Sequence, residues 1–166
     1  VEKMNYSDLF IEDDIHTGEH IFYSDKNRTV PFNGTVVDYN KGVLVWEFEV
    51  HDGFKTGIER VYYPTGELQE INETDHNTTN GIAKEFYRNG QLRSQSIVIR
   101  NVHINTIFYD ETGSTAEIWE ISGEDPSYYV VRDRLAEYRS RYKLEIIQAV
   151  EVKKKSKGNE MISESG

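Results

Sequence analysis

Three glycines, Gly42, Gly66 and Gly90, stand 24 residues apart, and each closes a similar phrase. The phrases are Tyr39-Asn40-Lys41-Gly42, Tyr63-Pro64-Thr65-Gly66 and Tyr87-Arg88-Asn89-Gly90. Gly53, Asn77 and Asn101 keep the same interval of 24, and Gly34, Gly57, Gly81 and Asn105 follow it at 23, 24 and 24. A fixed period of this size requires one supersecondary unit to recur and stack on its neighbours. Such a unit offers a surface rather than a reaction centre.

The unit reads as a β-hairpin. Ile58 to Tyr63 is β-branched and aromatic, Pro64-Thr65-Gly66 follows, and Glu67 to Thr74 reads as the returning strand. Pro64 suits the first position of a type I turn, and Gly66 suits the left-handed residue that completes a three-residue loop. Gly42, Gly66 and Gly90 are all assigned this role. The resulting register places Tyr62 opposite Leu68, Arg60 opposite Glu70, Phe86 opposite Leu92 and Glu85 opposite Arg93, with favourable cross-strand neighbours. Looser turns are expected near Asp52-Gly53, His76-Asn77 and Arg100-Asn101, because Gly and Asn tolerate the left-handed region. Leu44, Trp46, Phe48 and Val50 alternate with Val45, Glu47, Glu49 and His51, the pattern of a strand with one buried face.

The expected fold is mainly β: an antiparallel meander of hairpin repeats forming an open single sheet, with a C-terminal amphipathic helix. Residues 1–19 form a lead-in and 20–123 the repeats, of which Tyr23 to Gly34 is a shortened first unit. Asp125 and Pro126 suit a helix start. Tyr128, Val131, Leu135, Tyr138 and Tyr142 then recur at helical spacing, which predicts a helix over 126–142. The segment 124–152 holds this helix and a stretch from Leu144 to Val152 that either continues it or forms an edge strand, the β-branched content favouring the strand. Residues 153–166 form a polar tail.

Net charge is −10, and Lys153, Lys154, Lys155 and Lys157 lie together in that tail, leaving the body more acidic still. An acidic body argues against nucleic acid and anionic lipid as partners and fits a basic protein. The chain has no Cys, so disulfide and thiol chemistry are excluded. No apolar run reaches the roughly 18 residues of a membrane span. A cytoplasmic protein is expected. Five Asn-x-Ser/Thr triplets, at Asn5, Asn27, Asn33, Asn72 and Asn77, read as turn chemistry.

Val61-Tyr62-Tyr63-Pro64-Thr65-Gly66-Glu67-Leu68 and Glu85-Phe86-Tyr87-Arg88-Asn89-Gly90-Gln91-Leu92 resemble the variant MORN repeat of bacterial proteins, as does the turn Asp52-Gly53-Phe54-Lys55-Thr56-Gly57. The resemblance spans roughly residues 20–121. Bacterial proteins of this type include the YwqK-like antitoxin family and immunity proteins, so the resemblance implies binding to a toxin and carries no catalytic residues to transfer. Asn77 and Asn101 stand where the repeat usually has Gly.

His16-Thr17-Gly18-Glu19-His20 matches the H-x-x-E-H pattern of a zinc peptidase class, but that chemistry needs a helix and Gly18 opposes one. A turn before the first hairpin is the better reading. No Ser/His/Asp order, Walker loop or dinucleotide turn is present. No enzyme, metal or cofactor is expected. The expected function is neutralisation of a basic toxin domain, with candidate contacts Asp38, Glu47, Glu49, Glu59, Glu73 and Glu85 and the aromatic anchors Tyr63 and Tyr87. The Tyr39, Tyr63, Tyr87 and Tyr109 ladder reads first as sheet packing. The alternative is a scaffold or lipid-binding repeat module.

Overall fold

The computed structural model describes residues 1–144. The repeats build one nine-stranded sheet in which sequential strands are neighbours from the fourth strand on. Its members are β4 (Gly34–Asn40), β5 (Val43–His51), β6 (Phe54–Tyr62), β7 (Leu68–Asp75), β8 (Thr78–Phe86), β9 (Leu92–Ile99), β10 (Val102–Tyr109) and β11 (Thr115–Glu120), all paired antiparallel. The meander is the one expected. The ninth strand is β1 (Lys3–Asn5), which adds to β4 in parallel and covers that edge.

The lead-in is therefore structured. β2 (Phe10–Asp13) and β3 (His20–Tyr23) form a separate two-stranded sheet, so Tyr23 to Gly34 is not a shortened unit of the meander as expected. The reason is apolar burial. Leu9 and Phe22, with Phe32, pack on Val36, Phe48 and Val50 of the main sheet. The hairpin serves as a cover for one sheet face rather than a further strand pair in it.

The glycine turns differ from one another. At Gly66 and Gly90 the three-residue loop is as expected: Gly66 N–H donates to Tyr63 O at 2.8 Å, Gly90 N–H to Tyr87 O at 2.9 Å, and both glycines have positive φ. Asp110 to Gly113 makes a further turn of this kind. At Gly42 the assignment is corrected. Asn40 pairs with Val43, and Lys41 (φ 50°) and Gly42 (φ 82°) form a two-residue turn, because Lys41 itself enters the left-handed region and shortens the loop.

The turns expected to be loose are the tight ones. His51 pairs with Phe54, Asp75 with Thr78 and Ile99 with Val102. Both central residues have positive φ at Asp52-Gly53, His76-Asn77 and Arg100-Asn101, the signature of two-residue hairpins that match strand twist. Asn at the second position does more than tolerate that backbone. The Asn77 side-chain oxygen accepts from Lys55 N–H at 2.9 Å and Asn101 from Thr79 N–H at 2.7 Å, so each turn is stitched to the one before it. Asn77 also donates to His20 O, tying in the cover hairpin. Asn72, read above as turn chemistry, lies inside β7 instead.

The register is correct beside the turns and shifts by one beyond them. Tyr62 faces Leu68 and Phe86 faces Leu92, but Val61 faces Glu70, Arg60 faces Ile71 and Glu85 faces Ser94. The cause is a β-bulge that places one extra residue on the returning strand, at Val45, Gln69, Arg93 and Ala116 in successive hairpins. A bulge sharpens local twist, and its recurrence twists each repeat alike. Arg60 finds its carboxylate on the other neighbouring strand, opposite Glu47 (3.4 Å), while Arg93 at its bulge still comes within 3.9 Å of Glu85.

The C-terminal helix is broken. α1 (Tyr128–Val131) and α2 (Leu135–Arg141) are joined by a 3-10 turn at Arg132–Arg134 in place of one regular helix. The β-branched pair Val130-Val131 falls where the regular helix fails. The stripe nonetheless works as expected, with Val131, Leu135 and Tyr138 buried on Ile97, Ile99, Ile104 and Ile121. The helix-or-strand question at Leu144 to Val152 and the tail at 153–166 fall, beyond Leu144, outside the described residues.

Three turn aspartates carry a measurable signature. Asp14 accepts from the backbone N–H groups of His16 and Thr17, and Asp25 from those of Val30 and Thr29. Asp110 accepts from the Thr112 hydroxyl and from the Thr112 and Ser114 N–H groups. These bonds hold all three carboxyls below their ordinary value of 3.8. The folded state therefore binds fewer protons than the unfolded state in the acid range, so stability is complete above about pH 4 and falls as pH drops through the folded values. Denaturant midpoints measured from pH 6 to pH 2.5 should decline in that window, and the decline should be shallower in an Asp25→Asn/Asp110→Asn variant.

Candidate partner-binding surface

Residues opposite one another in an antiparallel ladder share a face. Through the registers, Trp46, Phe48 and Val50 share their face with Glu59 on β6, Glu70 and Asn72 on β7, Ala83 and Glu85 on β8, and Ser94 and Ser96 on β9. We call this the front. Glu47, Arg60, Ile71, Lys84, Gln95 and Ile107 form a row on the back.

The two covers lie on opposite faces at opposite ends. The lead-in covers the front over β4 and β5, and α1 and α2 cover the back over β9 to β11. Among the described residues, the back of the early repeats and the front of the later ones carry no cover. The first is a mixed-charge face, where Glu47 accepts from Arg60 and the Tyr62 hydroxyl. The second is polar and acidic.

The candidate contacts are not brought together. Asp38, Glu59 and Glu85 lie on the front, Glu47, Glu49 and Glu73 on the back, and Tyr63 and Tyr87 at the three-residue turns. Several are used by the fold. Glu49 Oε2 accepts from Ile58 N–H at 2.6 Å and Glu73 Oε2 from Ile82 N–H at 2.8 Å, each lying against a glycine of the next strand, Gly57 or Gly81. Glu59 is 7% exposed and accepts from Trp46 Nε1 (2.9 Å), Lys55 Nζ (2.6 Å) and Asn72 Nδ2 (3.3 Å). The Tyr63 hydroxyl donates to Phe86 O and the Tyr87 hydroxyl to Tyr109 O, so the tyrosine ladder bonds each repeat to the next. Glu85 is exposed on the open front.

The front groove was missed by inspection of single residues. It has a volume of about 130 Å³ and is lined by Glu70, Asn72, Ala83, Glu85, Ser94, Ser96 and His103 with Thr79. Its sequence signal is the repeat read column by column. Trp46, Glu70 and Ser94 stand 24 apart, as do Phe48, Asn72 and Ser96, so the apolar front of the first unit turns polar and then small. Glu70 and Glu85 lie directly opposite each other, an arrangement that like charges oppose. Burial holds His103 below its ordinary value of 6.5, against the influence of Glu85.

A second pocket, of about 480 Å³, lies between the cover hairpin and the front, walled by Tyr6, Phe22 and Trp46 and rimmed by Lys55 and the paired Asp13 and His20. His16 to Glu19 belong to the connection between β2 and β3, organised by Asp14, His20 opens β3, and none of this stretch is helical. Among the described residues no His, Cys, Asp and Glu group of three or more is placed to hold a metal ion. Among the same residues no helix is long and apolar enough to cross a membrane.

Comparison with known proteins agrees with this geometry over the central hairpins. No curated protein matches the chain. The family model for the MORN repeat variant matches residues 55–76 and 79–98, the segments running from β6 through β9 with bulges 24 residues apart at Gln69 and Arg93, and this match supports a repeat scaffold module over that part of the chain.

Proposed function

We propose that the chain is a non-catalytic protein-binding module that neutralises a basic toxin domain, in the manner of an immunity protein or antitoxin. The observation carrying this reading is the open front of the later repeats, where Glu70 and Glu85 stand opposite each other above a polar groove that no described helix covers. The net charge of −10 supports it, because complementary charge steers association with a cationic partner. The contact set is revised accordingly. Glu85 is retained and Glu70 added. Glu49, Glu59, Glu73, Tyr63 and Tyr87 act first within the scaffold.

The test is capture of the product of the neighbouring gene by the purified chain, together with co-expression of the two. Binding that weakens with salt and restores growth supports the reading; neither binding nor rescue sinks it.

A further inference from the structure

We propose that the front groove is an arginine-binding site, which receives the guanidinium of a partner's side chain between Glu70 and Glu85; the identity of that partner as a toxin rests on the function proposed above, while the site itself does not. The groove presents acceptors in excess of donors. Asn72 is 9% exposed, and its amide nitrogen is held at 3.3 Å by both Glu59 and Glu70. That arrangement turns its carbonyl oxygen away from the carboxylates, and this oxygen receives no hydrogen bond from the described residues. Ser94, 6% exposed, lies opposite Glu85, and its hydroxyl makes no hydrogen bond to them either. The Asn72 carbonyl oxygen and the Ser94 hydroxyl, on side chains at least nine-tenths buried, thus stand without a partner among the described residues in a groove flanked by two carboxylates. By contrast, the deeper hydroxyls of Ser96 and Thr106 satisfy each other at 2.9 Å.

Both atoms open onto the groove rather than being sealed in the fold, so a donor from outside the chain can reach them, and once buried by a partner such groups are normally paired. A cationic donor fits best, because it would sit between Glu70 and Glu85, whose charge Arg93 offsets only from 3.9 Å away. Four acceptors spread over three strands suit a planar group with several fixed N–H donors better than a point charge, which favours arginine over lysine. A volume of about 130 Å³ admits a side-chain head and not a folded element.

The experiment measures binding of fluorescein-labelled octa-arginine and octa-lysine to the full chain by anisotropy at fixed salt. Wild type is compared with Glu70→Gln/Glu85→Gln and with a charge-matched control, Glu124→Gln/Asp133→Asn, at exposed positions of the C-terminal segment. The groove variant is expected to bind octa-arginine at least tenfold more weakly, the control within twofold of wild type, and wild type to prefer arginine over lysine severalfold. Equal losses in both variants, or no arginine preference, would mean attraction by net charge alone and would overturn the site. Melting temperature gives an independent reading. It should stay within a few degrees of wild type in the groove variant, so that the lost affinity is read at the site and not from unfolding. Because the probe is a peptide, the site can fail while toxin neutralisation stands, and the reverse.

Discussion

Gly57→Ala is expected to lower the free energy of unfolding by about 3–5 kcal/mol. Gly57 has φ +119°, and a Cβ there would lie 2.0 Å from Glu49 Oε2 and 2.9 Å from Glu49 Cβ. The carboxylate could swing away, but Glu49 Cβ belongs to the strand and cannot. Two costs combine. An alanine at this φ carries roughly 1–3 kcal/mol of backbone strain. Displacing Glu49 leaves the Ile58 N–H without its acceptor, at about 1–3 kcal/mol. Gly81→Ala should behave alike, since Glu73 Oε2 would lie 2.0 Å from its new Cβ. Gly42 supplies the contrast. It also has positive φ (82°), but a Cβ would meet nothing within 4 Å, so Gly42→Ala should cost only about 1 kcal/mol. Guanidinium denaturation of the three variants decides the matter. Equal losses at Gly42 and Gly57 would show that conformation alone, and not the glutamate contact, makes glycine necessary.

Phe48→Ala should cost about 3–5 kcal/mol, the usual range for a buried aromatic. Phe48 is fully buried, with its ring 4.5 Å from Trp46 and 5.5 Å from Phe22 between centroids. The loss should be local. In a repeat sheet each unit depends mainly on its neighbours, and the second hydrophobic cluster, beneath α1 and α2, shares no residue with the first. Amide hydrogen exchange should therefore accelerate in β2, β3 and β4 and remain slow in β9 and β10. A uniform acceleration would mean that the two clusters unfold as one cooperative unit.

Local chemistry was legible wherever a few adjacent residues decide a conformation. The left-handed residues at Gly42, Gly66 and Gly90 follow from steric freedom, and the antiparallel meander follows from short turns between β-patterned runs. The Arg60 pairing was not legible, because a bulge at Gln69 depends on how the strand twists against its partner, and an extra residue changes every pair beyond it. The tightness of the His76-Asn77 turn was hidden for a similar reason: Asn there is kept by hydrogen bonds to Lys55 and His20, which are distant in sequence.

The candidate contacts divide in the same way. Charge and residue type marked Glu49, Glu59 and Glu85 equally, yet one lies against a glycine of the next strand, one is buried beneath Trp46 and Lys55, and one faces solvent. By itself the sequence determined the repeat, its period and its turns, because those rest on backbone preferences within a few residues. Only the tertiary structure decided which carboxylates are free to meet a partner, because that depends on which face the lead-in and the helix cover. Those covers come from the segments before and after the repeats, and they lie on opposite faces, leaving Glu70, Asn72, Glu85 and Ser94 along a front that no other described segment covers.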